Sequence, residues 1–129
     1  LLRKPTIEQV SLIYAHEQTK GRDKQMSGKS PTQRSLEKLR SEGYLCQIVE
    51  RWNPHARIRQ DLFGIGDILA IKPGETLLVQ TTSRGNVAAR VTKIQESEHL
   101  SAILAAGWKI TVHGWGKLKA GWTCKIVDF

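Results

Sequence analysis

Residues 59–84 read RQDLFGIGDILAIKPGETLLVQTTSR, and the fold turns on how this stretch is interpreted. Two runs rich in β-branched and apolar residues, 65–71 and 76–82, flank Pro73-Gly74. Proline presets φ for the first central position of a turn, and glycine tolerates the positive φ often needed at the second, so the stretch predicts a β-hairpin. The turn sets the register. With Lys72 opposite Glu75, Ile71 faces Thr76, Leu69 faces Leu78 and Asp67 faces Gln80, provided that no bulge intervenes. Directly opposed residues share a face with Cβ atoms ~4.5–5.5 Å apart, which would bring an acid and an amide within reach of one cation, with Thr82 further along that face.

The 129 residues suffice for one domain with its own core. No apolar run approaches the ~20 residues of a membrane span, and no signal-peptide pattern opens the chain, so a cytoplasmic protein without membrane contact is expected. Cys46 and Cys124 fall within strand-like runs, without CxxC or histidine spacing. They read as buried reduced thiols. The net charge is +8 and unevenly distributed: Lys and Arg outnumber acids nine to five over residues 1–43 and seven to three over 76–129, but match them four to four in between. A polyanion gripped from both sides, with central acids kept for a cation, fits this pattern. A basic surface serving solubility fits it too.

In chain order, residues 1–29 read as a basic N-terminal helix and arm. The spacing of Ile7, Val10, Ile13 and Tyr14 is helical over 6–19, and the polar stretch KGRDKQMSGKS follows as a linker. The arm tracks phosphates or is a tail without a role. Residues 30–129 form the α/β domain. Ser30-Pro31-Thr32-Gln33 opens a helix with a capping box, Leu36 and Leu39 face its core, and Gly43 stops it. Glu37, beside the apolar stripe, either reaches a metal across the core edge or pairs with a neighbouring arginine. Residues 44–50 predict a strand. Residues 51–62 predict a long connection whose Trp52, His55, Arg57, Arg59 and Asp61 bind a phosphate and stack a base, or an ordered loop with Trp52 packed on the sheet. His55 has no partnered nucleophile and carries no catalytic expectation.

After the hairpin, residues 87–96 predict a helix with Val87, Val91 and Ile94 inward. Asn86, Arg90 and Lys93 lie on an adjacent face, for phosphates or for solvent. A short helix over 99–106 and strands over 109–115 and 122–127 complete the chain. Trp108, Trp115 and Trp122 read as core and sheet-face residues, with Lys117 and Lys119 beside them.

The order is thus helix, strand, strand, strand, helix, helix, strand, strand. The helix ending at Gly43, the strand YLCQIVE, the acid opening a strand in GIGDILAI, the hairpin and the spaced polar pair in LLVQTTS resemble the PD-(D/E)xK nuclease superfamily. In size and layout the chain is similar to small phage and archaeal Holliday-junction resolvase-like proteins, over roughly residues 32–112. The resemblance implies a restriction-endonuclease-like core, with a central mixed sheet flanked by helices. It implies Mg²⁺ or Mn²⁺ as cofactor, DNA as partner, a homodimer, and a bacterial, archaeal or phage-infected cell. Asp67 matches the first, metal-binding acid, Gln80 the second acid and Thr82 the lysine. Two of these three positions depart from the motif, since an amide brings no charge and a hydroxyl no cation. Lys93 or Arg90 would then supply the cation, and Glu37, Glu50 or Asp61 the carboxylate. Arg57, Arg59, Arg84, Asn86, Arg90, Lys93 and Lys117 are the candidate nucleic-acid contacts. Two functions follow: a metal-dependent endonuclease or junction resolvase acting on DNA phosphodiesters, or a catalytically inactive DNA-binding or assembly module.

Overall fold

The computed structural model describes residues 28–129; the expected helix and arm over residues 1–27 lie outside them. The order is α1 (Pro31–Ser41), β1 (Leu45–Ile48), β2 (Arg51–Asn53), β3 (Ile58–Gln60), β4 (Ile68–Lys72), β5 (Glu75–Ser83), a 3₁₀ turn (Arg84–Asn86), α2 (Val87–Gln95), α3 (Leu100–Ala105), β6 (Lys109–Leu118) and β7 (Gly121–Asp128). Five strands form one mixed sheet in the order β1-β4-β5-β6-β7, and β2 and β3 form a separate two-stranded sheet. The fold class is α/β. Only β5 and β6 run parallel, and α2 and α3 form the crossover that a parallel pair needs. No described helix is long and apolar enough to cross a membrane.

Strand pleating divides the core. Leu77 and Val79 of β5, with Ile68 and Ala70 of β4, pack against Leu36 and Leu39 of α1. Leu78 points the other way, where it meets Val87 and Ile94 of α2, Ile103 of α3, and Ile110 and Val112 of β6. A two-residue period thus fills two cores from one strand. Helix α1 starts as its sequence predicts: Gln33 N–H donates to Ser30 Oγ (3.2 Å) and Ser30 N–H to Gln33 Oε1 (2.9 Å). The described hairpin turn places Gly74 at φ 73°, a conformation costly for a residue with a Cβ.

The expected register holds from Ile68 opposite Val79 to Lys72 opposite Glu75. Before Ile68 it slips. The N–H of Asp67 donates to Val79 O (2.9 Å), the residue already paired with Ile68, so the expected pairing of Asp67 with Gln80 gives way to a bulge-like offset. Residues 62–66 turn tightly, with Leu62 N–H donating to Gly66 O (2.8 Å), so the strand begins three residues later than its apolar run suggests. A Cβ at Gly66 would collide with the side chain of Leu78, and this close approach admits only glycine.

Three further expectations are corrected. The connection over 51–62 is a hairpin, β2 pairing antiparallel with β3. Trp52 is 58% exposed and is not packed on the sheet. Trp122 takes its expected place on the sheet, on β7 and half exposed, with the Arg34 guanidinium stacked 3.7 Å above its ring. Both cysteines are free thiols as expected, but only Cys46 is buried; Cys124, on the outermost strand β7, is partly exposed. Beneath α1 a polar chain crosses the core: Trp115 Nε1 donates to Ser35 Oγ (2.8 Å), which lies 2.9 Å from His113 Nδ1. An indole only donates, so the serine hydroxyl accepts from it and shares its remaining capacity with the imidazole. Burial, reinforced by Lys38, lowers the pKa of His113 to about 4.

Candidate cation and nucleic-acid site

Asp67 enters β4 immediately after Gly66 and is 5% exposed. Its carboxylate accepts from Thr81 N–H (3.1 Å) and from the Thr81 hydroxyl (2.5 Å). That hydroxyl also lies 3.0 Å from Thr32 Oγ1. Since Thr81 has spent its proton on Asp67, Thr32 donates to Thr81, and the first turn of α1 is tied to the acid. Burial drives the Asp67 pKa up to about 6 against the lowering effect of the Thr81 bonds, with the charges of Asp61 and Glu50 raising it further. A carboxyl poised near neutrality in this way is frequent at functional sites, because the fold tolerates its cost.

Gln80 reaches the other side of the strand. With its amide nitrogen turned inward it donates to Ile65 O (2.9 Å) and Asp61 Oδ2 (3.1 Å). The Gln80 amide, the Ile65 carbonyl and the Asp61 carboxylate carry the kind of oxygen donors a small divalent cation takes, and Asp67 is close enough to feel the Asp61 charge. Among the described residues, no three His, Cys, Asp or Glu side chains converge on one point. The two neutral oxygens stand where further acids would otherwise be needed.

Beside this cluster opens a cleft of about 620 Å³, lined by Arg51 and Arg59 from the β2–β3 hairpin, by Asp61, and by Lys93 from α2. Arg59 also lies 3.9 Å from Glu50. The apolar stripe of α2, with Val87 and Ile94 buried, leaves Lys93 exposed on the wall of the cleft. Three cations thus surround an acid that touches Gln80.

Among the residues expected at the site, Asp61, Gln80, Arg59 and Lys93 come together, with Asp67 alongside. Thr82 is buried on β5, two residues beyond Gln80. Glu37 pairs with Lys29 (2.9 Å) on α1. Arg57 sits at the hairpin tip, Asn86 in the 3₁₀ turn and Arg90 on α2, and none of them lines the cleft. Arg84 lies against Gly116 of β6, whose neighbour is Lys117. Thr81, Thr32 and the carbonyl of Ile65 as partners, and Arg51 as a cleft residue, were not expected from the sequence. The slip before Ile68 explains the first: it turns Asp67 toward Thr81 rather than Gln80. The basic-aromatic run at 51–59 was the available signal for Arg51.

The chain matches no protein-family model, no curated protein and no solved structure.

Proposed function

We propose that this is a DNA-binding protein of nuclease-like fold, in which Asp61 and Gln80 hold a divalent cation, with Asp67 adding its charge from across the strand, at the edge of a cleft that takes the phosphodiester backbone. The observation that carries this reading is the convergence of Arg51, Arg59 and Lys93 on the cleft beside the Asp61–Gln80 pair. Guanidinium and ammonium groups neutralise phosphates, and adjoining acids draw in a cation rather than a second anion. The order of helix, antiparallel strands, crossover helices and a parallel strand is the one the resemblance to PD-(D/E)xK nucleases implies.

When bound, Mg²⁺ supplies Lewis-acid stabilisation of phosphoryl oxygens and a more acidic water. The chain's own residues supply the rest. Lys93 stands on the cleft wall and places positive charge where the motif's lysine is replaced by Thr82, so it is positioned to stabilise charge developing on the phosphate. Thr81 keeps Asp67 oriented, and Thr32 keeps Thr81 oriented. A binding module without catalysis is the second reading. It is favoured by one observation, that both Asp67 oxygens are already occupied by Thr81.

Fluorescence anisotropy with labelled DNA across a salt series tests the binding. Affinity that falls steeply with salt, and falls further in Arg59→Glu and Lys93→Glu, is the expected result. Absence of binding at low salt removes the nucleic-acid reading. Calorimetric titration of Mg²⁺ into wild type and Asp61→Asn separates the two versions: a site lost in the variant supports the cation centre, and no site in either leaves the binding module.

A further inference from the structure

Among the described residues the β2–β3 hairpin pairs with no other strand, yet it carries the most exposed of their large hydrophobic side chains, Trp52 at 58%. Across the ladder from Trp52 stands Arg59, and Arg51 precedes it. Both arginines line the cleft that Lys93 and Asp61 close on the other side. The ribbon is held in shape by its own bonds: Asn53 Oδ1 accepts from the N–H groups of His55 (3.0 Å) and Ala56 (3.2 Å). An exposed indole is thus presented on a preformed arm, across the ladder from an arginine that lines the cleft.

We propose that Trp52 is a stacking platform for an unpaired base of the DNA whose phosphates occupy the Arg51–Arg59–Lys93 cleft. This deepens the reading given above and rests on it. The substrate class that follows is DNA carrying unpaired or extrudable bases, such as a single strand, a bulge or an opened branch point. In a continuous duplex both faces of each base are covered by neighbours, so only a base outside the stack offers its π-face to an indole. The arginines that line the cleft add phosphate contact to the stacking. Every base has such a face, so the platform selects unpaired structure and not sequence.

The test compares wild type, Trp52→Ala and Trp52→Phe by anisotropy, at one salt concentration, on a duplex, the same duplex with a short bulge, and a single strand. Wild type is expected to prefer the bulged and single-stranded DNA. Trp52→Ala should lose about 5- to 100-fold on those two, the range measured when a stacking aromatic is removed, and should keep its duplex affinity. Trp52→Phe should retain most of the preference, and all three proteins should melt alike, because the side chain is exposed. Tryptophan emission quenched by bulged DNA in wild type but not in Trp52→Phe supports the same assignment. A Trp52→Ala protein that binds all three DNAs as wild type does overturns the platform while leaving the phosphate cleft standing, as does an equal loss on all three. Wild type that binds no DNA overturns both.

Discussion

Asp67→Asn is expected to stabilise this protein at neutral pH, and the size of the effect follows from the burial of the acid. In the fold its pKa rises from an ordinary 3.8 to about 6. At about 1.36 kcal/mol per unit, ionised Asp67 costs on the order of 3 kcal/mol relative to its protonated form. The folded chain therefore holds the proton more tightly than the unfolded chain between pH 3.8 and 6. Stability falls as pH rises through that window and stays at the lower level above it. Asparagine carries no charge, still accepts from the Thr81 N–H, and lets the Thr81 hydroxyl turn to accept from its amide and donate to Thr32. In EDTA at pH 7.5 the gain should be about 1–3 kcal/mol, a melting temperature higher by roughly 4–10 °C for a domain of this size. His113 works in the opposite direction. Its folded pKa is lowered from 6.5 to about 4, so stability falls as pH drops through that range, again by about 3 kcal/mol. The two slopes oppose each other in wild type, and Asp67→Asn should uncover the loss on acidification that belongs to His113. The assay is thermal unfolding followed by circular dichroism between pH 4 and 8. A lower melting temperature for Asp67→Asn at pH 7.5 would refute the claim that a buried charge is held there at a cost.

Other perturbations follow from the same geometry. Gln80→Glu places a third carboxylate beside Asp61 and Asp67, so the melting temperature should fall in EDTA and rise above that baseline on adding Mg²⁺, the added charge attracting the ion. Arg59→Glu with Lys93→Glu should shallow the salt dependence of DNA affinity by about two counterions, read from the slope of log K against log salt. Gly66→Ala forces a methyl group into the Leu78 side chain and should cost about 1–3 kcal/mol, seen in urea unfolding; an unchanged midpoint would mean that the entry to β4 is misplaced.

The hairpin and its register were legible because turn chemistry is local: Pro73-Gly74 fixes which residues oppose one another, and alternating faces follow. The capping box of α1 was legible for the same reason. What was hidden depends on contacts distant in sequence. Nothing local announces that Gly66 must pass under Leu78, yet that approach and the turn before it end the ladder and swing Asp67 toward Thr81. Nor does the sequence near Trp52 show that residues 51–60 fold back on themselves, because three-residue strands carry too few alternations to register as a period. Lys93 and Asp61 stand 32 positions apart, and only the packing of α2 against the sheet brings them to one cleft. Charge counts alone located the neutral centre between basic flanks without saying which cations face it.

The most direct measurement is cleavage of four-way-junction, duplex and single-stranded DNA side by side in Mg²⁺ or Mn²⁺, by wild type, Asp67→Asn and Lys93→Ala, with binding measured on the same samples. A metal-loaded site at the cleft predicts that wild type cuts at least one of these DNAs, and that both variants still bind it while cutting slower by about 10² or more, as loss of a transition-state donor does elsewhere. Wild type that binds DNA and cuts none of the three, or variants that cut as fast as wild type, would contradict it.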